Sequence, residues 1–358
     1  MGLKLIVACG GTGGHSFPGL ATAAELASRG HDVTVWMSGR DVESRVLKGW
    51  TGPVFATGAR QLSAKNLFAN LIAMWRCRRE LLRAKPDALL AMGSYSSLPP
   101  VLMAAWCDVP IVLHEANTVP GRAIDFLSHF AKAIAISFEN TADHFAGKRT
   151  VLTGLPVRTD IAGQEPFDDA PKDAFCVFVT GGSQGAHRVN EIASKALVML
   201  NRELASRGRK LYVIHQTGVN DEAEISRAYA AAGMRARVNA FEHEMGRALA
   251  TADVVIARAG ASTCFELALT GKPAFFIPLP SAMRNHQHYN AAVFAANAAA
   301  AEGIQSDLVP RALTNWLRNK SENPQSLAQM AERMRSLARP DAAARLADLV
   351  ETAAKEGR

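Results

Sequence analysis

Cysteine is scarce in this sequence and badly placed for cross-linking. The five residues, Cys9, Cys77, Cys107, Cys176 and Cys264, are an odd number, widely spaced and without a C-x-x-C pair. That argues against a disulfide framework or a zinc finger and suits a reducing cytosol. Long apolar runs are missing too: none approaches the ~20 residues of a membrane span. The LIVAC run near the start is too short for a signal-peptide core. There is no low-complexity tract, and with 20% charged and 48% hydrophobic residues the 358-residue chain reads as a cytoplasmic globular protein of two domains.

What charge there is lies unevenly. The formal net charge is +7, and residues 1–160 hold 17 Lys and Arg against 12 Asp and Glu. The segment KNLFANLIAMWRCRRELLRAK, residues 65–85, holds six basic residues and one acidic, which accounts for that surplus. Its Leu67, Phe68, Leu71, Ile72, Met74, Trp75, Leu81 and Leu82 fall on about half of a helical wheel. One reading is a core-facing helix with a solvated basic face; the other is contact with an anionic membrane surface. No nucleic-acid motif accompanies the charge.

Short apolar runs alternate with helical stretches: LKLIVAC (3–9), DVTVWM (32–37), DALLAM (87–92), PIVLHE (110–115) and KAIAIS (132–137). This is the pattern of a parallel sheet covered on both faces. It restarts near residue 175, with AFCVFVTGGSQGAHRVNE repeating the layout of LKLIVACGGTGGHSFPGL, and continues through LYVIHQ, DVVIAR and PAFFIP. The stretch 153–173, rich in Pro, Gly and Asp, reads as a linker. The expectation is two doubly wound α/β domains facing a central cleft, with ligands at the C-terminal strand edges.

Both glycine-rich turns suit an anion, because backbone N–H groups at a helix start carry positive potential. Neither is a G-x-G-x-x-G, and the second strand ends at Met37-Ser38-Gly39-Arg40 without a ribose-binding acid. Only Arg40 keeps NADP open; the P-loop is absent. His15 follows the first turn. It is either a cap or packed side chain, or a general base toward a hydroxyl. In ARAGASTCFELALTGK, Thr263-x-x-Glu266 is a capping box in one reading. In the other, the N–H groups of 261–264 hold a diphosphate and Glu266 takes two ribose hydroxyls. Asn285, Gln287 and Asn290 in RNHQHYNA offer amides to a sugar. His286-x-His288 is a weak metal candidate with no acidic residue nearby in sequence. No D-x-D occurs, which removes the usual metal–diphosphate device of single-domain glycosyltransferases.

Together these residues resemble the MurG family over nearly the whole chain: GGTGGHSFPGLATAAEL, HEANTVPG (114–121), TGLPVR (153–158), TGGSQGA (180–186), HQTG (215–218), FEHEMGRALATADVVIARAGASTCFELA, HQHYNA and LARPDAAARLADLV. The resemblance implies a GT-B type fold of two Rossmann-like domains. An acceptor domain would span 1–158, a linker 159–173 and a UDP-sugar domain 174–339, with a last helix at 340–357 packing back on the first domain.

It implies inverting transfer of N-acetylglucosamine from UDP to an undecaprenyl-diphosphate-linked acceptor (lipid I) in peptidoglycan and cell-wall synthesis, and so in cell shape and division. No cofactor or metal would be needed. The enzyme would sit peripherally on the cytoplasmic face of the membrane, held through residues 65–85, with cell-wall synthesis proteins as partners and no nucleic acid.

By position, Thr12, Gly13 and Gly14 line the acceptor side and His15 is the base. Asn117, Arg158 and Ser183 contact the donor, and the backbone at Phe241 and Glu242 reads uracil. Ala261, Ser262, Thr263, Cys264, Phe265 and Glu266 form the nucleotide loop, and Gln287 and Asn290 take the sugar. The chain departs from the family pattern at Leu155 (usually Asn), at Gly93-Ser94 (usually a glycine pair), at Glu242 (usually aliphatic) and in the 281–285 loop, which lacks an aspartate. The rivals are transfer to another lipid or small-molecule acceptor, a nucleotide-sugar epimerase, and a non-catalytic nucleotide-sugar scaffold.

Overall fold

Short runs of Val, Ile, Leu and Ala suit strands buried on both faces of a parallel sheet. The computed structural model describes residues 2–11, 13–39, 47 and 49–357; Thr12 and Arg40 lie outside them. The first sheet comprises β1 (Lys4–Ala8), β2 (Asp32–Met37), β3 (Val54–Ala56), β4 (Ala88–Ala91), β5 (Ile111–Glu115), β6 (Ala133–Ile136) and β7 (Thr150–Leu152). Its order is β3-β2-β1-β4-β5-β6-β7. The second comprises β8 (Ala174–Thr180), β9 (Lys210–Gln216), β10 (Arg235–Asn239), β11 (Val254–Ala257), β12 (Ala274–Phe276) and β13 (Ala300–Glu302), in the order β10-β9-β8-β11-β12-β13. Every pairing is parallel. In each sheet the order reverses beside the first strand, between β1 and β4 and between β8 and β11. Those reversals are the crevices where doubly wound sheets bind ligands.

The helices are α1 (Gly13–Ser28), α2 (Leu67–Ala84), α3 (Leu98–Trp106), α4 (Arg122–Leu127), α5 (His187–Ala205), α6 (Glu222–Ala231), α7 (Met245–Thr251), α8 (Ala261–Thr270), α9 (His286–Ala296), α10 (Pro310–Glu322), α11 (Pro324–Ser336) and α12 (Ala342–Glu356). The chain divides into two units, Met1–Arg158 with Arg339–Arg358, and Thr159–Ala338. In the first unit α12 buries Leu346, Ala347, Val350, Ala353 and Ala354 in the core, against α1 and strands β4, β5 and β6. Gly19 lets α1 lie directly on β1: a Cβ there would meet the Cys9 Cβ at 2.2 Å.

Residues 159–173 are not a free linker. Phe167 is buried, its N–H donates to Thr251 Oγ1 at 2.8 Å, and the Arg237 and Arg247 guanidinium groups lie 4.2 and 5.0 Å from its ring centre. One aromatic side chain is enough to fix this polar stretch to the second unit.

α2 also departs from its core-facing reading. Its buried face is Asn70, Ala73, Cys77 and Leu81. Leu67, Phe68, Leu71, Ile72, Trp75 and Leu82 are exposed instead, Phe68 by 74% and Trp75 by 59%. The exposed six span ~140° of the wheel at ~100° per residue, opposite the buried four. Arg76, Arg78, Arg79 and Arg83 are exposed within or beside that arc, with Arg79 5.6 Å from the Trp75 ring. Apart from Leu81, the large apolar side chains meet solvent while smaller ones pack inward, the reverse of an ordinary amphipathic helix.

Candidate functional site

In the first unit the β1–α1 and β4–α3 turns meet at the sheet's switch point. Ser96 Oγ donates to the Gly10 carbonyl at 2.5 Å, Ser97 Oγ donates to the Gly93 carbonyl, and Ser16 Oγ donates to the Cys9 carbonyl at 2.8 Å. Three hydroxyls thereby satisfy carbonyls that no strand or helix bonds. His15, in the first turn of α1, sets Nδ1 2.8 Å from the Met92 carbonyl oxygen. A carbonyl only accepts, so Nδ1 carries the hydrogen and Nε2 keeps its lone pair. This is a tautomer suited to taking a proton. Gly13 and Gly14 begin the same helix.

Asn117 follows β5 in a turn organised by Glu115. The Glu115 carboxylate accepts from Asn117 N at 2.8 Å, Asn117 Nδ2 at 3.1 Å and Gly121 N at 2.9 Å. Burial pushes its pKa up while those donors pull it back. Beside it, His114 Nε2 lies 3.1 Å from the Gly154 carbonyl, and its Nδ1 is buried with no partner among the described residues. Burial, with His15 adding charge repulsion, pushes the His114 pKa down to about 4. Sequence reading passed over both residues. The available signal was a His-Glu pair closing an apolar strand. Arg158 places its guanidinium 5.4 Å from the Phe17 ring, two residues from His15.

In the second unit three loops are stitched together. Gln216, at the end of β9, donates from Nε2 to the Gly182 carbonyl at 2.8 Å and accepts from the Glu242 N–H at 3.1 Å. It thus ties the turn bearing the exposed Ser183 to the segment bearing Phe241 and Glu242. Glu242 is buried, accepting from Asn239 Nδ2 at 3.0 Å and Glu244 N at 2.9 Å. Its side chain folds the loop, and since its N–H is taken by Gln216, its carbonyl is the backbone group left for a base. Phe241 is exposed against His243.

The capping box does not form. α8 starts at Ala261 with Gly260 as its cap and no side-chain cap bond, so Thr263 is inside the first turn. Cys264 N–H donates to the Gly260 carbonyl at 3.0 Å, leaving the N–H groups of Ala261, Ser262 and Thr263 as the helix-end donors. Glu266, one turn further on, is half-buried. The Cys264 and Phe265 side chains do not face a ligand: both are buried in the core, where burial pushes the Cys264 thiol pKa up.

Asn290 is likewise fully buried, and its Nδ2 donates to the Ala259 carbonyl at 3.1 Å. That bond anchors the turn before α8. Gln287 accepts the Leu279 N–H at Oε1, 3.0 Å, which turns its NH₂ outward. Arg284 and Asn285 just before it both hold positive φ, 51° and 56°, strain of the kind kept at ligand loops. Glu302 lies 2.5 Å from His288, so that histidine does have an acidic neighbour. His286 turns to the Met283 carbonyl, and among the described residues no group of three such side chains could hold a metal.

These two half-sites have close relatives. Residues 5–136 match the glycosyltransferase family 28 N-terminal domain and residues 176–346 its C-terminal domain. The chain is 36% identical over 99% of its length to the whole of a Geobacter metallireducens protein, and 37% identical over 98% of its length to 95% of a Paraburkholderia xenovorans protein. Both are named UDP-N-acetylglucosamine–N-acetylmuramyl-(pentapeptide) pyrophosphoryl-undecaprenol N-acetylglucosamine transferase. The crystal structure of Acinetobacter baumannii MurG matches 98% of this chain and 100% of its own, with a TM-score of 0.80 and 32% identity.

The chain belongs to the MurG family. The two parallel α/β units are its GT-B type fold. A Neisseria meningitidis UDP-GlcNAc 2-epimerase superposes with a TM-score of 0.74 at 11% identity over 98% of this chain and all of its own, a likeness of fold alone. Against the MurG pattern, Leu155 replaces asparagine at a position 1% exposed, where an apolar side chain fits the core. The Glu242 departure is absorbed by the loop bonds described above.

Proposed function

We propose that His15 Nε2 is the base of an N-acetylglucosaminyl transfer in which the acceptor's 4-hydroxyl attacks the sugar's anomeric carbon directly. The chain is a MurG-family hexosyltransferase using UDP-N-acetylglucosamine and a lipid-linked N-acetylmuramyl-pentapeptide acceptor in peptidoglycan synthesis. The observation that supports the catalytic reading is the His15 Nδ1–Met92 contact, which fixes the tautomer with its lone pair on Nε2. As the new C–O bond forms, the bond from the anomeric carbon to the diphosphate breaks and UDP leaves. The hydroxyl proton passes to Nε2, and the resulting imidazolium keeps its Nδ1–H on the Met92 carbonyl. Displacement from one face inverts the anomeric centre.

The donor lies on the second unit. Ser183 and the N–H groups of 261–263 take the diphosphate, where fixed donors stabilise the charge that grows on the leaving group. Those donors do this without a metal. The Glu266 carboxylate takes the ribose hydroxyls, the Glu242 carbonyl accepts from the uracil N–H, and the Gln287 amide donates to the sugar. Asn117 and Arg158 keep the donor-contacting role that the family pattern gives them. Transfer of labelled sugar from UDP into a short-chain lipid acceptor as a β-linked product tests this reading; altered UDP-sugar formed without acceptor overturns it.

The acceptor is anchored in lipid, and the exposed face of α2 fits that source. Among the described residues no helix is long and apolar enough to cross a membrane. Six large apolar side chains flanked by four arginines instead suit insertion at the anionic cytoplasmic surface, with the charges at headgroup level. In flotation the chain is expected to rise with anionic vesicles at low salt and to be released at high salt. A Phe68→Ser, Trp75→Ser variant is expected to stay at the bottom. Equal flotation of both would remove α2 from membrane contact.

A further inference from the structure

The second unit holds a cleft of about 230 Å³ away from its switch point, where the end of α9 and strand β13 meet α10 and α11. Ser183 and Ala261 follow β8 and β11, at the C-terminal ends of those strands. The cleft instead takes in Ala300 and Ala301, which open β13, the last strand of its sheet. Its apolar lining is Ala295, Ala300 and Ala301, which offer only methyl groups, and the indole of Trp316. Phe275 holds that indole edge-on, with ring centres 5.1 Å apart. An apolar cavity of ~150 Å³ already holds a benzene ring, so this one has room for a ring system. The charged lining is all cationic. Lys320 stands one turn from Trp316 on α10, its Nζ 5.7 Å from the ring centre and donating to Ser326 Oγ at 2.8 Å. Arg333 joins it from α11, and no carboxylate lines the cleft. Neither cation forms an ion pair with a described residue. Lys320 is half-buried, and burial pushes its pKa down with no anion to oppose it.

We infer that this cleft is a second ligand site, for a small aromatic oxyanion: a ring bearing a carboxylate or phosphate. The ring lies against Trp316 and the alanine methyls, and the anionic oxygens accept from Lys320 and Arg333. Covering the apolar lining releases water and gives the ring an aromatic contact. The oxyanion supplies the counter-charge that Lys320 lacks, through charge-assisted hydrogen bonds. Both parts are required. A neutral ring leaves the two cations without an anion, and an inorganic anion leaves the apolar lining wet. The assignment is independent of the transfer reaction and of the role of His15.

Calorimetry of the full chain with naphthoate tests the site. Saturable binding is expected with a Kd of about 1 mM or tighter. Naphthamide and inorganic phosphate are each expected to bind at least about tenfold more weakly, the scale of a lost hydrogen bond to a charged group. Lys320→Gln is expected to weaken naphthoate binding by a similar factor. Ala295→Leu fills the cleft from α9 and is expected to abolish that binding. An unchanged circular dichroism spectrum shows that each variant is folded. Saturating UDP is expected to leave the naphthoate affinity as it is, because the groups assigned to the donor lie at the other ends of the strands. Displacement by UDP overturns the site. So does naphthamide binding as tightly as naphthoate, or an affinity within about twofold of the parent in both variants.

Discussion

A His15→Ala variant is expected to turn over ~10²–10⁴-fold more slowly while binding UDP-N-acetylglucosamine as the parent does, the usual worth of a positioned general base. That loss corresponds to about 3–5 kcal/mol of barrier. The geometry makes the expectation specific. Nδ1 is committed to the Met92 carbonyl at 2.8 Å, so Nε2 is the atom that takes the proton. His15→Gln keeps an N–H donor for Met92 but has no basic nitrogen, and is expected to be as slow as the alanine variant. Because the donor is assigned to the other unit, neither variant should shift the UDP affinity. Retention of more than half the parental kcat in both would remove His15 from the chemistry.

Glu266→Ala is expected to do the opposite: to weaken UDP binding ~10–100-fold by calorimetry, at the scale of lost hydrogen bonds to a carboxylate. The helix start makes this a clean test. A capping-box glutamate would support Thr263 as the cap, and its removal would cost helix stability. Here Gly260 is the cap and Thr263 lies inside the helix, so the variant removes no capping-box bond. Unchanged UDP affinity would leave Glu266 as part of the helix surface only.

The central strands of both sheets were legible as apolar runs, because burial on two faces leaves no polar alternation to confuse the reading. The strands that sequence reading passed over, β3, β7, β10 and β13, are the four sheet edges. They are short or half-exposed, and β10 reads RARVN, so neither length nor hydrophobicity marks them. α2 misled for a related reason: periodicity located an apolar stripe but not which way it faces, and Ala73 and Cys77 packed inward in place of Phe68 and Trp75.

At the site, residue type singled out His15 and Gln287, and the Met92 and Leu279 contacts then fix which nitrogen each presents. It could not reveal that Asn290 is buried with its Nδ2 on the Ala259 carbonyl, nor that the Glu242 N–H is spent on Gln216. Those distinctions depend on which hydrogen bonds are already made, and sequence does not carry that information.

The account turns on direct transfer to a lipid-linked acceptor, and UDP release from UDP-N-acetylglucosamine, followed with and without that acceptor, tests it most directly. The expected result is release that requires the acceptor and matches it mole for mole. Release at the same rate without acceptor, or conversion of the UDP-sugar in its absence, would contradict it.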